Sequence, residues 1–290
     1  MPAMIKFYKY QGTGNDFIII NNFEQQQVDF DFDEIFLNSF CHRKWGIGAD
    51  GLIVLNKHDQ YDFEMQYYNA DGSQSFCGNG SRCVVHLAHQ LGIINGNEAL
   101  FMAHDGLHKA RMVDNFNVTI SINDVHKNSI TKLSTVESNP SYFIHTGSPH
   151  YVQIVDSLHT LSVVEEGKKI NFLQKFQQQG TNVNFVTLAT NGIASQIQLR
   201  TYERGVKDET YACGTGAVAS ALIVTLIKGF KSPVQVIMRG GILQVSFEED
   251  EQKFTNIRLT GMATQVFQGA ITKQQLQTSC MNYLMFKPNM

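Results

Sequence analysis

Cys77-Gly78-Asn79-Gly80 and Cys213-Gly214-Thr215-Gly216 are the stretches on which the fold turns. Each leads into a segment that reads as a buried helix. After the first, Val84, Leu87, Ala88 and Leu91 recur at i, i+3, i+4 and i+7, and Gly92 stands where a helix would stop. After the second, Gly216 to Lys228 is apolar all round (Ala217, Val218, Ala219, Ala221, Leu222, Ile223), with Gly229 as its stop. A helix of that kind must be covered on every side. The two cysteines lie 136 residues apart (77 to 213), close to half of the 290-residue chain. A strand pattern and a polar loop precede each turn, Asn69-Ala70-Asp71-Gly72 in one case and Glu203-Arg204-Gly205-Val206 in the other. This pattern reads as an internal duplication: two similar halves, each presenting one cysteine at a helix N-terminus.

Outward from these helices the chain reads as short strands. Ile5–Tyr10, Phe17–Ile20, Leu52–Leu55, Phe63–Tyr68, Val118–Ile122, Tyr151–Val155, Val183–Leu188, Ile197–Tyr202, Val234–Met238 and Ile242–Phe247 are apolar or alternating runs, most of them punctuated by Gly, Asn, Asp or Pro. Segment 156–181 is more polar, ends in Gln177–Gln179, and reads as a surface helix plus loop. Many short strands around one wholly apolar helix is the simplest arrangement for this pattern.

Composition bounds the function. Hydrophobic residues make up 43% and charged residues 17%, which suits a packed globular fold of about two domains. The net charge of −3 provides no basic field for a polyanion, so no nucleic-acid partner is expected. The longest nearly apolar run, Ala217 to Ile227, is well short of the ~20 residues needed to cross a bilayer, so no membrane partner is expected either. Met1 to Tyr10 has no signal-peptide core. Five cysteines (Cys41, Cys77, Cys83, Cys213, Cys280) are a poor disulfide framework, and a reducing cytoplasmic setting is expected.

A cysteine at a helix N-terminus meets unpaired N–H groups and a partial positive charge, and is a more acidic thiol than usual. Such a turn also binds anions. One copy is equally well explained as a tight cap. Two copies at duplicated positions suggest a chemistry: inverting a stereocentre beside a carboxylate. If the halves face each other, a thiolate removes the α-proton from one side and a thiol returns one to the other, with no cofactor and no metal. Backbone amides would hold the carboxylate, and the two thiols would titrate as a coupled pair. Cys83 reads as a packed residue, and Cys41 and Cys280 as buried or incidental thiols.

The ordered blocks Gly12-Thr13-Gly14-Asn15-Asp16-Phe17, Gly46-Ile47-Gly48-Ala49-Asp50-Gly51, Asn69-Ala70-Asp71-Gly72-Ser73, Cys77-Gly78-Asn79-Gly80-Ser81-Arg82-Cys83, Gly180-Thr181-Asn182-Val183-Asn184-Phe185, Glu203-Arg204-Gly205-Val206 and Ala212-Cys213-Gly214-Thr215-Gly216 closely resemble the diaminopimelate epimerase family, cofactor-independent isomerases that interconvert LL- and meso-diaminopimelate. The resemblance runs from about residue 5 to 270. It implies an α/β (α+β) fold of two pseudo-symmetric halves, each a barrel-like, mostly antiparallel sheet around a central helix. It implies a division into residues 1–126 plus 268–290 and residues 127–267, the chain's end returning to the first half. It implies Cys77 and Cys213 as the acid–base pair. Asn15, Asn69 and Asn182 would be substrate-binding asparagines, and Gly78-Asn79 and Gly214-Thr215 the backbone cradle for the reacting carboxylate. Arg204 would take the distal carboxylate, where a forked guanidinium suits bidentate geometry. Glu203 would meet an ammonium and, with His150, tune the thiols. The substrate would be diaminopimelate, on the route to lysine and cell-wall precursors, and the protein a homodimer.

Some positions depart from the family pattern: Ser148 replaces the usual Asn before Pro-His, Gly261-Met262-Ala263 replaces Gly-Pro-Ala, Gly51 stands where some members have a glutamine contact, Ala103-His104-Asp105-Gly106 is looser than usual, and the tail from about Ile271 has no counterpart. Fine substrate recognition is where these bear. Four other readings compete. Gly46-x-Gly48-x-x-Gly51 matches the dinucleotide fingerprint, but a strand follows it where a helix is required. His86 and His89 could graze a metal, but no third ligand is evident. A proline or hydroxyproline racemase would share the two cysteines, but Arg204 and the three asparagines argue for a substrate with a polar far end; a silent amino-acid binding protein would not need two acidic thiols.

Overall fold

A computed structural model describes residues 4–23, 33–134, 139–173, 176, 180–188 and 195–286, and the chain divides into two units, Met1–Ile120 with Met262–Met290, and Ser121–Gly261. The Gln177–Gln179 stretch lies outside the described residues.

The first unit opens with β1 (Met4–Gly12) antiparallel to β2 (Asn15–Asn21). Helix α1 (Glu34–Cys41) crosses to β3 (Gly51–Asn56), which is parallel to β2, and β4 (Phe63–Asn69) returns antiparallel to β3. Helix α2 (Gly78–Gln90) then crosses to β5 (Glu98–Ala103), parallel to β4, followed by β6 (Gly106–Met112) and β7 (Asn117–Ser121) in antiparallel succession. Residues Phe17 to Ile20 and Leu52 to Leu55 are buried without interruption because the sheet is covered on both faces. The period-two rule sorts them. Ile18, Ile20, Leu52 and Val54 pack against Phe36, Leu37 and Phe40 of α1, whereas Phe17, Ile53 and Met65 face Gly80 of α2. Asp33 caps α1, its carboxylate accepting from Phe36 N at 2.7 Å.

The second unit repeats the plan. Short strands β8 (Val125–His126) and β9 (Thr131–Lys132) precede β10 (Ser141–His145), which is antiparallel to β11 (Pro149–Ile154). Helix α3 (Val163–Asn171) crosses to β12 (Asn182–Leu188), parallel to β11, and β13 (Gln196–Glu203) is antiparallel to β12. After β14 (Asp208–Thr210), α4 (Gly214–Lys228) crosses to β15 (Val234–Met238), parallel to β13, and β16 (Gly241–Glu249) and β17 (Lys253–Met262) follow antiparallel. From β1 to β7 and from β10 to β17 the succession of parallel and antiparallel pairings is the same, the small β14 hairpin aside. The helix before the third strand and the helix before the fifth recur at the same places. Ala217 to Thr225 of α4 are all buried, and Gly229 ends the helix in the left-handed conformation at φ 68°.

The chain ends in the first unit. β18 (Thr264–Thr272) pairs antiparallel with β1, Met4 opposite Thr272. Helix α5 (Lys273–Phe286) lies on α1: Leu276 joins the Phe36–Phe40 cluster, Ser279 Oγ donates to Trp45 O at 2.6 Å, and Cys280 Sγ sits 2.9 Å from Ser39 Oγ. The tail is therefore a structural helix that closes one face of the sheet. Each unit is thus a mixed α/β body of mostly antiparallel strands wrapped around one helix, α2 in the first and α4 in the second.

Candidate functional site

Both conspicuous cysteines are N-caps. Cys77 (φ −126°, ψ 108°) and Cys213 (φ −119°, ψ 110°) share one extended backbone conformation, each immediately before its buried helix. A residue in that conformation leaves the helix's first N–H groups pointing past its own side chain. In the first unit Cys77 Sγ accepts from Gly80 N at 3.4 Å, as an N-cap oxygen would. Asn15, at the start of β2, brings Nδ2 to 4.0 Å from the same sulfur, and its buried Oδ1 has no hydrogen-bond partner. The strand-end turn before Cys77 is tied down by Asn69, whose Nδ2 donates to Ser73 O, Ser73 Oγ and Ser75 Oγ at 3.0–3.2 Å while its Oδ1 accepts from Tyr67 at 2.9 Å. Asn79 is buried, and its Oδ1 accepts from Arg82 Nη2 at 2.9 Å.

The second unit builds a different surround for Cys213. Thr215 Oγ1 lies 3.7 Å from Cys213 Sγ, 2.9 Å from His150 Nε2 and 3.1 Å from Ser148 Oγ. The tautomer of His150 follows from its neighbour. Asn184 Oδ1 accepts from Thr201 Oγ1 at 3.0 Å, and Asn184 Nδ2 donates to Tyr151 O at 2.9 Å, which fixes the amide's orientation. The second Nδ2 hydrogen therefore points at His150 Nδ1, 3.0 Å away. Nδ1 accepts, so the ring proton is on Nε2 and is donated toward Thr215 and Ser148. Complete burial, helped by the charges of His145 and Arg204, holds the imidazole neutral by lowering its pKa to about 3. Thr215, accepting from His150, keeps its own hydroxyl proton for Ser148 or for the sulfur of Cys213. Gly216 is required by the same packing, since a Cβ there would lie 2.4 Å from Asn184 Oδ1.

Asn182 joins this cluster: its Nδ2 donates to Ser148 Oγ at 3.2 Å and its Oδ1 accepts from the backbone N–H of Arg204 at 3.1 Å. Glu203 Oε1 accepts from Thr210 Oγ1 at 2.7 Å. Of the residues expected from the sequence, Asn15 lies beside Cys77, Gly78 and Asn79 follow it into α2, and Asn69 ties the turn that precedes it. Thr215, His150, Asn182 and the backbone of Arg204 form one hydrogen-bonded group with Cys213. Two participants escaped the sequence reading. Asn184 follows Asn182 at i+2, so strand periodicity puts both on one face of β12. Arg82 is a charged residue in a helix stretch that is otherwise buried.

The competing motifs resolve locally. Gly51 opens β3, so the Gly46–Gly51 loop enters a strand, and at Gly46 a Cβ would sit 2.2 Å from Ser39 O. Gly46 permits close packing against α1, and Gly51, where a Cβ would lie 2.5 Å from the Tyr67 ring, close packing against β4. His86 has its Nδ1 3.2 Å from Tyr10 Oη and donates from Nε2 to Asn115 O at 3.0 Å, so both nitrogens are occupied within the core. Cys83 is wholly buried, and burial pushes its thiol far above the usual range; burial likewise pushes Cys41 up to about 12. Asp16 is held well below the usual carboxylate range, because Arg43 and Lys9 outweigh the burial that opposes ionisation.

The chain resembles known proteins in sequence and in fold. The family described as diaminopimelate epimerase matches residues 7–128 and 142–266. A diaminopimelate epimerase of Flavobacterium psychrophilum is 43% identical over 270 residues, 92% of this chain and 100% of that protein. One from Aquifex aeolicus is 38% identical over 94% of this chain and 100% of its own. Among solved structures, a Bacillus anthracis phenazine biosynthesis protein of the PhzF family aligns with a TM-score of 0.69 at 15% identity, covering 93% of this chain and 99% of that one. A hydroxyproline epimerase from Agrobacterium vitis aligns at 0.65 with 15% identity, covering 94% of each chain. At such identities the structural likeness speaks for the fold.

Proposed function

The chain belongs to the diaminopimelate epimerase family, and on that premise we propose that it interconverts LL- and meso-diaminopimelate by proton transfer between Cys77, Cys213 and the substrate's α-carbon. The observation that carries the reading is that the two cysteines are N-caps in one conformation at equivalent places of two units with one topology. An α-proton beside a carboxylate is very weakly acidic, so removal needs a strong base close at hand and stabilisation of the carboxylate as charge develops. A thiolate at a helix N-terminus is favoured by the helix dipole. The N–H groups of Gly78-Asn79 and Gly214-Thr215 are the donors for the reacting carboxylate. One thiolate takes the proton, the other thiol delivers one to the opposite face, and the roles exchange in reverse.

The surrounding residues take the parts that their chemistry suits. Asn15 has an unsatisfied buried acceptor beside Cys77, apt for an ammonium N–H of the substrate. Arg204 offers a forked cation for the distal carboxylate, and Asn182 positions its backbone. Glu203 meets the ammonium. A contact between substrate and Asn69 would replace one of the bonds that now tie its turn. Neutral His150 tunes Cys213 through the Thr215 hydroxyl, so its effect is that of a hydrogen bond passed on. Ser148, shorter than the usual asparagine, serves that same chain. The reading also includes a homodimer, and cytoplasmic residence; none of the five cysteines is in a disulfide, and no described helix is long and apolar enough to cross a membrane.

Reduced protein incubated with LL-diaminopimelate should yield a mixture of LL and meso isomers, with Cys77→Ala and Cys213→Ala each abolishing conversion. Absence of meso product from the unaltered protein would overturn the substrate assignment. Turnover surviving in either variant would overturn the pairing.

A further inference from the structure

Among the described residues, Arg82 is the largest side chain that is fully withdrawn from solvent. Its partners are all neutral: Nη2 donates to Thr13 Oγ1 and to Asn79 Oδ1, each at 2.9 Å, and Nη1 donates to Gly78 O at 3.5 Å, while Nε has no partner. Among the described residues no carboxylate lies within ion-pair distance of it. The location compounds the cost. Side chains on a helix lean toward its N-terminus, and this one folds back onto the first turn of α2, where the aligned peptide dipoles already place positive charge. A guanidinium that is buried, lacks a counter-ion and sits at the positive end of a helix is opposed three times over. Burial indeed lowers its pKa, and negative charge on the sulfur of Cys83 or of Cys77 would act in the other direction.

Resting on the acid–base reading of Cys77 given above, we propose that Arg82 is a positioning residue that holds Cys77 as the resting thiolate, and so as the base of the pair when no substrate is bound. The guanidinium anchors the turn through Gly78 O and Asn79 Oδ1, the two residues that follow Cys77, and supplies the positive charge that a thiolate needs. Cys83 does not compete for it, being completely enclosed and protonated, whereas Cys77 is only half-buried. Other titratable groups on the elements packed around α2 are engaged elsewhere: Tyr10 of β1 with His86 and Gln90, Tyr67 of β4 with Asn69, and His108 of β6 with Asp105. In the second unit the same position, 136 residues on, is the buried apolar Val218. Cys213 has instead the neutral hydroxyl of Thr215. The two halves are alike in backbone and differ at this helix position, a buried guanidinium in one and an apolar side chain in the other; Arg204, the cation whose charge reaches His150 in the second unit, lies outside the helix.

The test is the pH dependence of alkylation of each thiol, read by peptide mapping and needing no substrate. In Cys213→Ala protein, Cys77 should titrate below Cys213 in Cys77→Ala protein. Arg82→Met should raise the Cys77 midpoint by about 1–3 pH units, leave Cys213 in place, and be partly reversed by Arg82→Lys. An unchanged Cys77 midpoint in folded Arg82→Met protein, or an equal rise at both thiols, would overturn the proposal. Should Arg82→Met fail to fold, the comparison between the two cysteines with Arg82 intact decides, and a Cys77 midpoint at or above that of Cys213 would overturn it. A protein that titrates as stated but does not epimerise would instead discredit the substrate assignment alone.

Discussion

His150 is neutral because nothing around it repays the loss of water. Its ordinary pKa near 6.5 falls to about 3 in the folded protein. Between those values the unfolded chain binds a proton that the folded one does not, so stability is full above about pH 6.5 and declines as pH falls toward 3. At ~1.4 kcal/mol per unit, the decline attributable to this one group approaches ~5 kcal/mol. Denaturant unfolding across that range should show it, and His150→Gln should flatten the slope; an equally steep slope in the variant would mean that His150 is already charged in the folded state. The residue scale is also where the sequence was most and least informative. Cys77 and Cys213 were legible because glycines flank them and helices follow. Arg82 and Asn184 were not, since a charged or amide side chain in sequence carries no mark of burial, and their roles depend on residues such as Thr13 and Tyr151 that only folding brings near.

At the scale of elements, the legible ones were those buried on both faces. β2 and β3 carry continuous apolar runs, Phe17–Ile20 and Leu52–Leu55, and α4 reads as an unbroken apolar helix. β17 and β18 were not singled out. β17 alternates Phe254, Ile257 and Leu259 with Thr255, Asn256 and Arg258, and β18 buries little of its length. α1 and α5 were passed over as well, because their short apolar stripes acquire meaning only against each other and against β3. Two substitutions probe this packing. Gly216→Ala puts a methyl 2.4 Å from Asn184 Oδ1 in the first turn of α4. It should cost about 1–3 kcal/mol of stability and disturb the His150 chain, seen as a lower denaturant midpoint together with slower turnover. Leu276→Ala should cost about 2–5 kcal/mol with little change in the chemistry of the reduced enzyme. A midpoint unaffected by Leu276→Ala would show that α5 contributes nothing to the fold.

At the scale of the whole molecule, duplication explains why 290 residues carry two thiols of one conformation. The repeated order of strand pairings makes each unit a scaffold that delivers one N-terminal turn. Sequence spacing disclosed the repeat, since 136 residues separate the cysteines. What spacing could not disclose is that the two turns differ in their surroundings: a backbone amide at the sulfur and a buried guanidinium bonded to Asn79 in one, a hydroxyl linked to a neutral imidazole in the other. A two-base isomerase has a direct isotopic signature. Conversion of LL-diaminopimelate in deuterium oxide, stopped early, should give meso product carrying one solvent deuterium at the inverted carbon while recovered LL substrate remains unlabelled, because the base that removes the proton is not the acid that supplies the next. Product that retains the substrate's own hydrogen, or deuterium that enters recovered substrate as fast as product, would contradict the paired-thiol account.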